Sequence, residues 1–201
     1  MDTHYLAPLF TPRNVALYGA SDKETSVGGI VFRNLRTSGY AGRIYAINPK
    51  RAEVQGEKAY ASLADIDETI DLAVVATPAP SIPGIVEECG ERGVRAMLIL
   101  SAGFRETGPA GRRLEDEVTR LVRQYGIRLM GPNCLGIIRP DIGLNITFGN
   151  NQARPGNLAF VSQSGAICTA ILDWAEVNGV GFSAVVSTGI GADLDFGDYL
   201  D

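Results

Sequence analysis

Two patterns of hydrophobic positions alternate along the chain. Short apolar runs at 14–18, 43–47, 71–76, 96–100 and 127–130 read as buried strands. Between them, apolar residues recur at helical spacing. Ile30, Val31 and Leu35 do so within 28–38, then Ile82, Ile85, Val86 and Cys89, then Leu114, Val118, Leu121, Val122 and Tyr125. Ser38-Gly39, Gly90, Gly93 and Gly126 stand where those helices should stop. Strands apolar on both faces, alternating with amphipathic helices, specify a mostly parallel sheet covered on both sides, because parallel neighbours need crossover helices. Residues 1–131 therefore read as an α/β domain of Rossmann-like type.

Residues 132–155 break the pattern. Glycine, proline and asparagine replace periodicity there, as in a linker between domains. The alternation then restarts with a strand at 157–161 and a helix at 165–177 that has Ile167, Ile171 and Trp174 on one face. A strand at 182–187 and a helical start near Asp193 follow. This second unit, 156–201, is expected to be an incomplete α/β domain. It holds too few elements to bury a core alone, and two parallel strands leave open edges that further sequence or a partner must cover.

Composition narrows the function classes. At 201 residues, 45% hydrophobic and 20% charged, the chain can bury a core. A net charge of −5 gives no general attraction for nucleic acid or an anionic membrane, so a phosphate site must be local. No apolar run approaches the ~18 residues of a membrane span, and the start lacks the basic and apolar blocks of a signal peptide. The expected compartment is the cytoplasm. Cys89, Cys134 and Cys168 are odd in number and lack metal-ligand spacing, which suits reduced thiols and predicts no metal site.

Ligands of an open parallel sheet lie beyond the carboxyl ends of its strands, so the residues after each strand are the candidates. After the first come Gly19, Ala20 and Ser21, small enough for a phosphate to approach the backbone, before a helix whose N-terminus favours an anion. An ordinary tight turn is the alternative. The dinucleotide pattern G-x-G-x-x-G would need glycine at Ser21 and Glu24, which points to a phosphorylated ligand other than NAD. After the second strand, where NAD domains hold ribose with an acid, stand Asn48-Pro49-Lys50-Arg51. Cations there favour a phosphorylated ribose, against a plain solvated turn.

Thr77-Pro78-Ala79-Pro80 reads as a stiff groove wall or a structural stop. Ser101-Ala102-Gly103-Phe104 offers backbone donors and a flat apolar surface, and Glu106 is either an acid–base candidate or a surface helix residue. Ser162, Gln163, Ser164 and Gly165, between a strand and a helix, form a second candidate phosphate site, although capping alone explains Ser164. A nucleophile elbow would need glycine at 162, and the only histidine is His4. Cys134 has no histidine base and reads as a packed small residue.

Six strings, VALYGAS at 15–21, INPK at 47–50, ATPAP at 76–80, LSAGFRE at 100–106, GPNCLGI at 131–137 and FVSQSGA at 160–166, together resemble the NDP-forming acyl-CoA synthetases. That superfamily includes the succinyl-CoA synthetase α subunit and ADP-forming acetyl-CoA synthetase. The resemblance implies a CoA-binding Rossmann domain followed by a flavodoxin-like ligase domain. It implies that CoA or acyl-CoA lies along Gly19, Ala20, Ser21 and Asp22, Lys50, and Ser101, Ala102 and Gly103. The helix start matched by Ser162 to Gly165 would face phosphate or acyl phosphate and a phosphohistidine. CoA carries a 3′-phosphorylated ribose and a pyrophosphate, so a lysine in place of the ribose-binding acid fits it chemically.

The implied reaction converts acyl-CoA, phosphate and NDP to acid, CoA and NTP. ADP or GDP with Mg2+ would enter through an ATP-grasp β-type subunit or domain. The family's phosphohistidine matches no residue of this chain, and Ala102 stands where the succinyl enzymes have glutamate, as in acetyl-type members. A regulatory CoA-binding module of a protein lysine acetyltransferase, which shares FVSQSGA and ILDW (171–174), is the alternative. An NADP-dependent oxidoreductase domain is a further one, but it should carry the missing glycines.

Overall fold

The computed structural model describes residues 4–200. A short helix α1 (Ala7–Phe10) leads into β1 (Asn14–Tyr18), whose Val15, Ala16 and Leu17 are fully buried. Then follow α2 (Val27–Thr37), β2 (Arg43–Ile47), β3 (Glu53–Val54), β4 (Glu57–Tyr60), β5 (Leu72–Val75), α3 (Ile82–Glu91), β6 (Ala96–Ile99), α4 (Pro109–Tyr125) and β7 (Arg128–Met130). These strands form one sheet in the order β3-β4-β2-β1-β5-β6-β7. From β4 to β7 the pairing is parallel; β3 alone runs antiparallel, against β4. The helices α3 and α4 cover one face, where Val86, Cys89, Val118 and Leu121 pack on Ala73, Val75 and Met97. On the other face lies α2, with Val31, Phe32 and Leu35 in the core.

The predicted strands and helices of this domain all form, and the order change between β2 and β5 around β1 is the switch point at which such sheets bind ligands. The structure adds β3 and β4. Their charged, exposed residues Glu53, Glu57 and Lys58 carry none of the apolar signal that marks a buried strand.

The stretch 132–155, expected to lack regular structure, holds an antiparallel pair, β8 (Gly136–Arg139) and β9 (Leu144–Thr147). Gly143 and Pro140, which suggested a loop, make the turn between them. Behind this pair come β10 (Arg154–Ser162), α5 (Gly165–Asn178), β11 (Gly181–Ser187) and α6 (Phe196–Leu200). A second sheet results, ordered β10-β11-β8-β9, with β10 parallel to β11 at the open edge. On α5 the stripe of Ile167 and Trp174 faces outward, more than half exposed, while Cys168, Leu172 and Ala175 pack inward. The chain is thus α/β throughout, with a Rossmann-like parallel-sheet domain followed by a second unit of flavodoxin-like kind.

The two sheets share one core around α2. Asn34 on that helix is buried, and its Nδ2 donates to the carbonyls of Thr147 (2.8 Å) and Gly149 (2.9 Å). At the far side, the N–H groups of Ile190 and Ala192 donate to the carbonyls of Pro132 and Gly131, so segment 190–194 runs antiparallel beside the end of β7 and shields that edge. The helical start expected near Asp193 falls instead at Phe196. Asp193 is occupied as an acceptor for the Leu129 N–H (2.9 Å) and the Arg128 guanidinium (2.9 Å). Among the described residues, no helix is long and apolar enough to cross a membrane.

Candidate functional site

The chain leaves β1 through Gly19, whose φ of +85° only glycine adopts without strain. A Cβ there would stand 2.8 Å from the Ala76 carbonyl oxygen. The loop folds back so tightly that α2 starts directly against it: a Cβ on Gly28 would fall 1.9 Å from the Gly19 carbonyl oxygen. Ser26 caps this helix, its Oγ accepting from the Gly29 N–H at 3.1 Å. The Ser21 hydroxyl accepts from the Lys23 N–H (3.1 Å), while the backbone N–H groups of Ala20, Ser21 and Asp22 make no hydrogen bond among the described residues. Donors of this kind beside a helix N-terminus suit an anion.

The second strand delivers its end to the same place. Asn48 Nδ2 donates to the Ala20 carbonyl (2.8 Å) and Asn48 Oδ1 accepts from the Lys50 N–H (2.9 Å), so one side chain fixes both loops. Arg51 pairs with Asp22 (3.2 Å), which neutralises one of the expected cations and occupies the Asp22 carboxylate. Lys50 has no ion pair among the described residues and stands exposed at the mouth of a groove of about 540 Å³. Gly19, Asn48, Pro49, Lys50, Thr77 and Pro78 line this groove, and Ile85 and Glu88 form its far wall. Glu88 is held by the Tyr18 hydroxyl (2.8 Å), the Ser62 hydroxyl and the Leu63 N–H (2.8 Å).

Pro78 is also part of a second, wider hollow of about 810 Å³ that Ala102 and Gly103 line. The Ser101 hydroxyl ties the two strand exits together by donating to the Thr77 carbonyl (2.6 Å). Two expectations for this loop change. Phe104 is fully buried against the α3–α4 face and offers no surface, because an apolar residue after a strand serves the core as readily as a ligand. The N–H groups of Gly103 (2.6 Å) and Phe104 (3.1 Å) donate to the Glu106 carboxylate and so are not available to an anion. Partial burial pushes the Glu106 carboxyl up. The Gly103 and Phe104 N–H groups and Arg105 outweigh this and hold it below the usual carboxylate range. Glu106 is therefore ionised at neutral pH and cannot serve as a proton donor there.

Ser162 to Gly165 sit at the exit of β10 and line neither hollow. Ser164 Oγ caps α5 by accepting from the Ile167 N–H (3.4 Å), Ser162 Oγ accepts from the Ser164 N–H (3.1 Å), and Gln163 is exposed. All three cysteines are buried and unpaired, and burial pushes the Cys89 and Cys134 thiols up to about 12, which makes them poor nucleophiles. The structure thus gathers Gly19, Lys50 and Pro78 in one groove. It places Ala102 and Gly103 beside them across Pro78, and sets Ser162 to Gly165 apart.

Two family models match the chain. A family model described as CoA binding domain matches residues 13–140, and one described as succinyl-CoA ligase like flavodoxin domain matches 155–201. The chain is 46% identical over 193 residues to acetate–CoA ligase [ADP-forming] I of Archaeoglobus fulgidus, covering 96% of this chain and 28% of that protein. It is 40% identical to acetate–CoA ligase [ADP-forming] I subunit alpha of Pyrococcus furiosus, covering 98% and 43%. A solved structure described as Ca. Korarchaeum cryptofilum dinucleotide forming acetyl-coenzyme A synthetase 1 in complex with phosphate and ADP superposes with a TM-score of 0.93. The identity is 38%, over 98% of this chain and 42% of that one. The chain therefore spans less than half the length of these relatives. It belongs to the CoA-binding domain family and, with the succinyl-CoA ligase-like stretch behind it, to the superfamily of the NDP-forming acyl-CoA synthetases.

Proposed function

We propose that the groove between the exits of β1, β2 and β5 binds coenzyme A. The pyrophosphate lies against the loop from Gly19 to Asp22 and the start of α2, and the 3′-phosphate lies beside Lys50. The observation that carries this reading is the meeting of Gly19, Lys50 and Pro78 around one groove in a chain whose family model is a CoA-binding domain. Asp22 and Glu106 act by holding loops, Asp22 through Arg51 and Glu106 through Gly103.

The whole protein is proposed to be an acid–CoA ligase of the ADP-forming acetate type: acyl-CoA, phosphate and ADP yield acid, CoA and ATP. The relatives support this over an acetyltransferase regulatory module or an NADP oxidoreductase. Within it, Ser162 to Gly165 would receive phosphate or acyl phosphate at the N-terminus of α5. An ATP-grasp β-type subunit or domain would bring ADP and Mg2+. The phosphoryl-carrying histidine would come from outside this chain, whose only histidine is the exposed His4. The exposed edge of β10 and the Ile167–Trp174 stripe are the proposed seat of the rest of the ligase-like domain. The cytoplasm is the proposed compartment.

Titration calorimetry of the protein with CoA, NADP and NAD tests the ligand. CoA is expected to bind at least about tenfold tighter than either dinucleotide, a difference of roughly 1.4 kcal/mol. Equal or tighter binding of NADP would overturn the reading.

A further inference from the structure

Opposite the loop that follows β1 stands the turn between β3 and β4, Gln55-Gly56. Both residues have positive φ, +50° and +80°, and Val54 pairs with Glu57 across a two-residue turn. Such a turn takes asparagine, aspartate or glycine at its first position. A glutamine there sacrifices local preference, and its side chain shows what it does instead. Gln55 Nε2 donates to the carbonyl of Ser21 (2.9 Å) and to that of Gly29 (2.9 Å), and the Gln55 N–H donates to Asp22 Oδ1 (2.7 Å). One carbonyl belongs to the loop and the other to the first turn of α2. The amide therefore clamps together the two halves that would face a pyrophosphate. The turn is itself anchored, since Arg36 on α2 donates to the Gln55 carbonyl (2.8 Å) and pairs with Glu57 (2.8 Å).

We infer that Gln55 is a positioning residue for CoA binding: it fixes the loop from Gly19 to Asp22 against the N-terminus of α2 without touching the ligand. The inference rests on the CoA reading above. An anion site whose donors are prearranged loses affinity when the supporting contact goes, even though every donor remains.

Gln55→Asn is the decisive variant, because a structural role and a positioning role move it in opposite directions. Asparagine favours the left-handed conformation and forms the preferred Asn-Gly turn, so the thermal midpoint is expected to hold or rise. The amide, one methylene shorter, no longer reaches Ser21 and Gly29. Calorimetry is then expected to show roughly fivefold weaker binding of CoA, and of dephospho-CoA by the same factor, as the loss of neutral hydrogen bonds implies. Unchanged CoA affinity would overturn the inference. So would a weakening confined to CoA, or one accompanied by a lowered midpoint, which would assign Gln55 to hairpin stability alone. A wild-type protein that prefers NADP, with Gln55→Asn weakening NADP, would remove the CoA reading and leave the clamp standing.

Discussion

Gly28→Ala is expected to cost about 100-fold in CoA affinity, because it moves the start of α2 away from the loop that follows β1. The added methyl would sit 1.9 Å from the Gly19 carbonyl oxygen and 2.7 Å from the carbon that bears it. Both are backbone atoms, so no side-chain rotation relieves the clash. Helix and loop must separate by more than an ångström, and the N–H groups of the loop and of the helix start no longer converge on one anion. The same overpacking is expected to destabilise the fold by about 3 kcal/mol, seen as a fall of about 6–12 °C in thermal midpoint. Gly84→Ala in α3 is the control, since its methyl would meet nothing within 4 Å. Alanine there is expected to stabilise slightly, through helix propensity, and to leave CoA affinity unchanged. A Gly28→Ala protein that binds CoA as the wild type does would show that the loop–helix junction is not the pyrophosphate site.

Lys50→Ala is expected to weaken CoA by roughly 30-fold and dephospho-CoA by less than about twofold, the signature of one charge-assisted contact to the 3′-phosphate. Lys50 is the cation that counts, because Arg51 already answers Asp22. The contrast between the two ligands is expected to shrink in high salt, since the lysine is exposed and its field is screened. It is also expected to shrink below about pH 6, where a phosphate monoester dianion takes up one proton and becomes a monoanion. Calorimetry on both ligands at low and high salt checks this. Equal losses for CoA and dephospho-CoA would remove the ribose phosphate from the neighbourhood of Lys50.

The features that were legible in the sequence are those that one element carries alone. An apolar run ending in Gly19 announced β1 and its loop, and the run ending in Ile47 put Lys50 at a strand exit, where the structure has it. Contacts between distant segments left no such mark. Asn48 holds Ala20, and Gln55 holds Ser21 and Gly29, through side-chain bonds to backbone that no spacing rule encodes. The one available signal at Gln55 was the Gly56 that follows it, a turn cue between two runs too short and too charged to read as strands.

Direction was the other gap. Apolar residues at 167, 171 and 174 share a face of α5, but periodicity alone does not say whether that stripe or the one through Cys168, Leu172 and Ala175 meets the sheet. Likewise Phe104 fits a ligand surface or a core equally well until α3 and α4 are placed over it. Residues 136–147 hid two strands because glycine and proline, which usually mark loops, here serve a hairpin supported by α2 through Asn34.

A crystal structure of the protein with CoA puts the ligand beside the residues directly. The 3′-phosphate should lie within about 3 Å of Lys50 Nζ, the pyrophosphate against the backbone N–H groups of Ser21 and Asp22 and the start of α2, and the adenosine in the groove walled by Pro49, Pro78 and Ile85. CoA seated outside that groove, or Lys50 turned away from a groove that holds it, would contradict the assignment.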